Sequence, residues 1–291
     1  MPGELKGQCV GGGEAAVQRQ LARRKRVLRG VVTQDRRPAA EVPRGGVLHP
    51  QGEARRRHED EHRHVGGETR CGIHVAHSIL LRMDPQPEAP LGYIHRFEPA
   101  AGSTRTLLLL HGTGGDENDL LPLGAMLDTR AARLSPRGQV LEHGTPRFFR
   151  RIAEGVFDLE DLARRTNQLA DFIESAARAY GLKRDRIYAA GFSNGANIAA
   201  SVLLLRPGAL AGALLFSPML PFEPARTPDL AGVSVWIATG RADRIAPPEQ
   251  AERLATLLRA CGAEVEMHAG SDGHGIERGA IEAARAWLAR R

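Results

Sequence analysis

The sequence predicts an α/β fold in which a mostly parallel central sheet carries helices on both faces. Short apolar segments alternate with longer segments of helical spacing from Tyr93 onward. The segment TLLLLHG, residues 106–112, contains four consecutive leucines and ends at glycine, which is typical of a strand covered on both faces. The segment 158–181 instead spaces its apolar residues as a helix does and ends at Gly181, a typical C-cap residue. This alternation favours parallel strands joined by right-handed crossovers.

The remaining elements are predicted in the same way, from short apolar segments beside turn residues and from longer segments of helical spacing. The predicted strands are residues 91–99, 106–112, 139–144, 187–190, 212–216, 233–240 and 264–270. Apolar and polar side chains alternate in residues 91–99, as they do in an edge strand. The predicted helices are residues 158–181, a helix that begins near residue 196, residues 247–262 and residues 277–288. No internal repeat interrupts this series, so the sequence predicts one α/β domain.

The first 82 residues differ in composition from the rest of the chain. They contain 16 Lys and Arg against 9 Asp and Glu, and they contain no Phe, Tyr or Trp. A segment without aromatic residues is a poor builder of a hydrophobic core. We therefore predict a low-order basic extension over residues 1–82 and a folded domain over residues 83–291. Because the composition changes abruptly at RMDPQPEAP, a second hypothesis is that Met83 is the biological start.

The basic runs of this extension raise the question of nucleic-acid binding. RRKR at 23–26 and RRR at 55–57 would attract phosphate, but no recognisable binding module and no aromatic residue for base stacking accompany them. We expect no nucleic-acid partner.

The sequence also lacks a long apolar run and a signal-peptide core, and its three cysteines, Cys9, Cys71 and Cys261, lie far apart. These features predict a cytoplasmic protein with reduced thiols and no membrane association.

The stretch RHEDEHRH, residues 57–64, contains the H-E-x-x-H pattern of zinc metalloproteases. That pattern works when a helix presents both histidines on one face, beside a third ligand and supporting residues. Here it lies in the aromatic-free extension and glycines follow it closely, so nothing anchors such a helix. We predict no metal site, beyond weak capture by His58, His62 and His64.

The stretch GFSNG, residues 191–195, matches G-x-S-x-G, in which a nucleophilic serine sits at a sharp turn between a strand and a helix. The predicted strand 187–190 precedes it, and a predicted helix follows it from residue 196. The two glycines give the backbone room for that turn. Because a serine hydroxyl is a weak nucleophile, Ser193 needs a histidine base that a carboxylate orients.

Asp243 and His274 are the predicted partners of this serine. Each follows a predicted strand and precedes a predicted helix, in the chain order serine, acid, histidine that an α/β-hydrolase uses. Asp272 is the alternative acid, since it lies two residues from His274. His268 lies within a predicted strand and His111 ends another, positions that favour structural roles over the role of base.

The oxyanion hole of such a site needs two backbone N–H groups aimed at the developing negative charge. We predict that Asn194, which follows the serine, supplies one and that Thr113 in the loop HGTGGDEND supplies the other. Gly112 and the glycines after it let this loop approach a substrate closely. We therefore expect His111 and Gly112 to border the bound substrate. A phosphate-binding interpretation of HGTGG is weaker, because no Gly-Lys-Ser/Thr follows.

Six motifs in order resemble one family. They are LLLLHGTGGDENDLLPL, PRFFRR, GVFDLEDL, GFSNGANIA, GRADRIAPPEQ and GHG, and together they resemble the phospholipase/carboxylesterase family of α/β-hydrolases. The resemblance covers roughly residues 92–289. It implies an α/β-hydrolase fold without a large lid, no cofactor, and Ser193, Asp243 and His274 as the catalytic triad. It also leaves a homodimer open.

The segment PRFFRRIAEGVFD, residues 146–158, resembles the substrate-side loop of that family. The resemblance implies that Phe148, Phe149 and Phe157 line the acyl pocket. The alternative is that these three residues are core aromatics.

The function that follows is hydrolysis of small-molecule carboxylic esters or thioesters with small to medium acyl chains, through an acyl-enzyme on the serine. A lysophospholipase or a dienelactone-type hydrolase is the alternative among enzymes, and the motifs do not distinguish them. From another class, the chain could be a non-catalytic binding protein with a nucleic-acid-attracting basic arm. The complete set of serine, aspartate and histidine argues against that alternative.

Overall fold

The computed structural model of the protein describes residues 91–291. The predicted extension over residues 1–82, the H-E-D-E-H stretch within it and the hypothetical start at Met83 lie outside the described residues. Within the described part of the chain, no helix is long and apolar enough to cross a membrane.

Helices and parallel strands follow one another through most of the described residues, but five short strands stand between the first and the second helix. The strands are β1 (His95–Glu98), β2 (Thr106–Leu110), β3 (Ala132–Pro136), β4 (Val140–Glu142), β5 (Thr145–Arg147), β6 (Arg151–Ala153), β7 (Val156–Phe157), β8 (Ile187–Phe192), β9 (Gly212–Phe216), β10 (Ser234–Gly240) and β11 (Glu264–Gly270). The helices are α1 (Leu121–Leu127), α2 (Leu159–Tyr180), α3 (Asn194–Leu205), α4 (Pro248–Ala260) and α5 (Arg278–Leu288), with a 3₁₀ turn at Arg184–Arg186.

Seven of these strands form one sheet in the order β1-β3-β2-β8-β9-β10-β11. β1 runs antiparallel to β3, and every other neighbouring pair is parallel. β1 therefore occupies an edge of the sheet, as its alternating sequence predicts. The leucine-rich strand β2 lies inside the sheet, between β3 and β8. The mostly parallel sheet confirms the predicted fold class.

The sheet separates two hydrophobic layers, and β2 contributes side chains to both. Leu108 and Leu110 pack with residues of α2, α3 and α4, whereas Leu107 and Leu109 pack with residues of α1 and α5. Successive side chains of a strand point to opposite faces, so a strand covered on both faces is apolar at each position. Burying each of these leucines stabilises the fold by about 1.5–3 kcal/mol.

Several elements between β2 and α2 were not predicted from the sequence. β3 has the sequence ARLSP, in which an arginine and a terminal proline weaken the strand signal. In the sheet, the Arg133 guanidinium bonds the Glu98 carboxylate on the edge strand, which keeps its charge paired. The predicted strand 139–144 exists as β4, but it pairs with β5 in a separate two-stranded sheet. β6 and β7 form a second such pair, and α1 has only seven residues, too few for periodicity to identify.

Candidate active site

Ser193 lies at the sharp turn between β8 and α3. Its backbone has φ 50° and ψ −111°, a conformation that L-residues rarely adopt and that costs about 1–3 kcal/mol. The Ser193 N–H donates to the Phe216 carbonyl at 2.9 Å, which ties the turn to strand β9. Space requires both flanking glycines, because a Cβ at Gly195 would collide with the Leu110 carbonyl and one at Gly191 would lie 2.6 Å from the Gly195 carbonyl oxygen. The turn has the strained strand-to-helix geometry that G-x-S-x-G predicts.

A hydrogen-bond chain joins Ser193, His274 and Asp243. The Ser193 Oγ lies 2.9 Å from His274 Nε2, and His274 Nδ1 lies 2.8 Å from Asp243 Oδ2. An aspartate carboxylate accepts hydrogen bonds, so Nδ1 carries the proton and donates it to the carboxylate. Nε2 is then left to accept a proton from the serine hydroxyl. The Asp243 side chain is fully buried, whereas that of His274 is 16% exposed.

Two strand ends hold the acid and the base in place. Asp243 follows β10, and its Oδ1 accepts hydrogen bonds from the N–H groups of Ile245 and Ala246 at 2.9 and 2.8 Å. These bonds keep the second oxygen, Oδ2, directed at the imidazole. The loop after β11 bonds the loop after β10, because the Ala242 N–H donates to the Asp272 carbonyl at 3.1 Å. This bond joins the loop that contains Asp243 to the loop that contains His274.

The alternative acid and base are elsewhere in the structure. The Asp272 carboxylate is exposed and bonds the Ser271 hydroxyl at 3.3 Å. The His268 ring stacks on Trp236 at 5.7 Å between ring centres. Among residues 91–291, no group of three His, Cys, Asp or Glu side chains is placed to hold a metal ion.

His111 is the first residue of the loop HGTGGDEND; it is buried and has both ring nitrogens engaged. Nε2 accepts the Gly138 N–H at 2.9 Å, so Nδ1 carries the proton and donates to the Gly112 carbonyl at 2.6 Å. Burial lowers the pKa of the imidazole below its usual value of 6.5. On the outer side of the loop, Arg137 Nη2 donates to Glu117 at 2.8 Å and holds the pKa of that carboxyl below its usual value. His111 thus fixes the loop and is not available as a base.

Of the two predicted oxyanion donors, one lies at the start of helix α3 and the other lies in the loop HGTGGDEND. Asn194 begins helix α3, directly after the serine, and its side chain is buried. Thr113 is exposed in the loop, and no hydrogen bond joins its backbone N–H to another described residue. Gly112 packs so closely on the Phe192 ring that a Cβ there would lie 2.8 Å from it. Phe192 in turn lies 5.1 Å from the His274 ring, between ring centres.

Arg147 was not identified from the sequence. Its side chain is only 4% exposed, and its Nη1 donates to the Thr113 hydroxyl at 2.6 Å. The available signal was the place of Arg147 directly before two phenylalanines in PRFFRR, because phenylalanine side chains are usually buried. The partner of this arginine lies 34 residues away, and local spacing does not reveal contacts of that range.

Phe148, Phe149 and Phe157 are all buried in the hydrophobic core. Phe148 packs on the His111 ring at 4.7 Å, and Phe149 packs edge-on against Phe157 at 5.2 Å, between ring centres. These contacts agree with the alternative that the three residues are core aromatics. Their contact with an acyl chain stays a prediction.

Comparisons with known proteins agree with this geometry. The family described as Phospholipase/Carboxylesterase matches residues 151–290. MhqD of Bacillus subtilis strain 168, a protein named as a hydrolase, is 47% identical over 185 residues, which cover 64% of this chain and 92% of that protein. The Bacillus cereus carboxylesterase structure has 47% identity and a TM-score of 0.67, over 68% of this chain and 94% of that one. A carboxylesterase structure from Mesorhizobium loti has 34% identity and a TM-score of 0.62, over 69% and 92%.

The residues that the family model matches include Ser193, Asp243 and His274. The fold is therefore the α/β-hydrolase fold, and the relatives named as hydrolases and carboxylesterases give the chemical class. The chain belongs to the phospholipase/carboxylesterase family and is a carboxylesterase-type hydrolase.

Proposed function

We propose that this hydrolase cleaves carboxylic esters or thioesters with small to medium acyl chains, and that Ser193, His274 and Asp243 perform the reaction. The observation that carries the proposal is the continuous hydrogen-bond chain from the serine hydroxyl through the imidazole to a buried carboxylate. The two related carboxylesterases support ester cleavage as the reaction type.

In the first half of the reaction, Ser193 Oγ attacks the acyl carbon while His274 Nε2 takes the hydroxyl proton. Asp243 holds the imidazole in the tautomer that accepts at Nε2 and stabilises the imidazolium that forms. The bond from the acyl carbon to the leaving oxygen or sulfur then breaks. His274 returns its proton to that atom, and an alcohol or a thiol leaves.

In the second half, a water molecule takes the place of the leaving group. His274 removes a proton from the water as the water oxygen attacks the acyl-enzyme. The bond to Ser193 Oγ breaks, the proton returns to the serine, and a carboxylic acid is released. The backbone N–H groups of Thr113 and Asn194 stabilise the oxyanion in both halves.

Replacement of the nucleophile tests this proposal. Ser193→Ala should remove nearly all turnover of a p-nitrophenyl ester and all covalent labelling by a fluorophosphonate, because no other hydroxyl bonds His274 in the described residues. Ser201→Ala is the matched control: Ser201 is buried further along the same helix, and its hydroxyl donates to the Asn197 carbonyl. Retained labelling in Ser193→Ala would refute the assignment of the nucleophile.

Two further measurements define the reaction. Activity should survive a strong chelator, and a loss that zinc reverses would support the metalloprotease interpretation of H-E-D-E-H instead. A panel of matched esters and thioesters of increasing acyl length, including a lysophospholipid and a dienelactone, distinguishes the proposed substrates from the alternatives. A turnover maximum at short or medium simple esters or thioesters is the expected result.

A further inference from the structure

Residues 146–148, which we term the clamp segment, contact both proposed oxyanion donors. The first residue of the segment accepts the Gly114 N–H through its carbonyl at 3.0 Å. The second, Arg147, donates from Nη1 to the Thr113 hydroxyl at 2.6 Å. The third donates its backbone N–H to the Asn194 Oδ1 at 2.7 Å. One short segment thus bonds the loop that carries the first donor and the residue that carries the second.

Arg147 is a buried cation whose shortest hydrogen bond goes to a neutral group. Its Nε donates to the Phe149 carbonyl at 3.2 Å, and its Nη1 lies 3.4 Å from a Glu142 carboxylate oxygen. Glu142 already has a closer partner, because Arg151 Nε donates to it at 3.0 Å. The contact of Arg147 with Glu142 is longer than its contact with Thr113, and each oxygen of that carboxylate faces a different arginine. The contact with the Thr113 hydroxyl is the one that its geometry favours, and this contact is charge-assisted.

We propose that Arg147 is a positioning residue that holds the Thr113 N–H toward the oxyanion by bonding the Thr113 hydroxyl. The inference rests on the proposed function, in which that N–H stabilises the oxyanion. Thr113 is exposed at a loop otherwise rich in glycine, so its backbone has few other constraints on its outer side. A hydrogen bond on Oγ1 restricts the residue to one orientation. The buried cation also favours negative charge in its vicinity.

The test is a double-mutant cycle on Arg147 and Thr113. Arg147→Met removes the donor and the charge at similar length, and Thr113→Val removes the hydroxyl while it keeps the backbone N–H and the side-chain shape. We expect each variant to lower kcat for a p-nitrophenyl ester roughly tenfold or more, since complete loss of an oxyanion donor costs about 10²–10³ in kcat. KM should change less than about threefold, because the oxyanion forms only in the transition state. The double variant should lose no more than the worse single variant.

A trifluoromethyl ketone inhibitor reports on the oxyanion directly, because its serine adduct carries one. Its affinity should weaken in the variants in parallel with kcat/KM, an effect that a merely structural role of Arg147 would not produce. Arg147→Lys should recover part of the loss. Arg105→Met is the matched control, because that arginine is also largely buried but lies at the opposite end of β2; its kcat should equal that of the wild type.

Three results would overturn the inference: a kcat of Arg147→Met within twofold of the wild type, losses that multiply in the double variant, or an unchanged inhibitor affinity. If Arg147→Met does not fold, the Thr113 variants test the same hydrogen bond. Thr113→Ser should regain most of the kcat that Thr113→Val loses. Equal rates in those two variants would contradict the proposal. Fluorophosphonate labelling distinguishes failure of the proposed function from failure of this inference. Retained labelling in Ser193→Ala refutes the proposed function. Loss of labelling in Ser193→Ala, together with full activity of Arg147→Met, refutes only this inference.

Discussion

The polar residues at the two ends of strand β2 differ in their exposure and in their hydrogen bonds. At its amino end, Arg105 pairs with Asp128 at 2.9 Å, and both side chains keep about 15% of their surface in water. At its carboxyl end, His111 is only 1% exposed, and each ring nitrogen bonds a backbone group. The Asp243 carboxylate at the carboxyl end of β10 is likewise buried and accepts two N–H groups besides the imidazole.

This difference separates stability from chemistry in one molecule. An ion pair with part of its surface in water contributes modestly to stability, and no reaction depends on its orientation. A buried polar group is costly unless every polar atom has a partner, so it persists where a fixed orientation is useful. The carboxyl end also contains Ser193 in a strained backbone conformation. Substitutions of the three proposed catalytic residues at the carboxyl ends should change turnover, whereas substitutions at the amino end should change stability alone.

The largest effect after loss of the nucleophile is expected for Asp243→Asn. An amide at this position can donate to Nδ1 and so favours the tautomer with its proton on Nε2, which cannot accept from the serine. The expected loss in kcat is about 10³–10⁴. Steady-state kinetics on a p-nitrophenyl ester measures it, with Asp128→Asn at the amino end as the control. A loss below tenfold would indicate that another carboxylate, such as Asp272, orients the base.

A smaller effect, on stability, is expected for His111→Gln. The glutamine side chain would not place an acceptor where His111 Nε2 now accepts the Gly138 N–H. The unpaired N–H costs about 1–3 kcal/mol of unfolding free energy. The lowered pKa of His111 also gives a pH dependence. Since the unfolded chain binds the proton at a higher pH than the folded chain, the contribution of His111 is present above pH 6.5 and is lost as pH falls through the folded pKa.

Urea unfolding at pH 7.5 and at pH 5 measures both parts of this prediction. The wild type should lose more unfolding free energy on acidification than His111→Gln does. An equal loss in both proteins would show that the buried imidazole does not contribute to the pH dependence.

The smallest effect is expected for Arg105→Met at the amino end. Loss of the pair with Asp128 and of the contact with the Tyr188 ring, 5.5 Å from the guanidinium, should lower the unfolding free energy by roughly 1 kcal/mol. Thermal unfolding measures this change, and ester turnover below the melting temperature should stay at the wild-type value. A fall in kcat would contradict the separation of the two ends.

The sequence alone determined the fold class, the edge strand, the central strands other than β3, and the long helices, because these depend on local spacing. Periods of two and 3.6 residues and terminal glycines lie within windows of one element. The position of a serine, an aspartate and a histidine after three of the predicted strands was visible for the same reason. Since parallel strands end at the same edge of the sheet, these three residues were expected to meet, and the structure brings them within hydrogen-bond distance.

Only the tertiary structure decided which neighbours surround them. It placed β3 between β1 and β2, separated β4 and β5 from the main sheet, and bonded the imidazole to Asp243 while the Asp272 carboxylate bonds Ser271. It also joined Arg147 to Thr113 across 34 residues. Such contacts depend on how distant segments pack on one core, and the free energy of that packing is a property of the assembled fold that no short window of sequence contains.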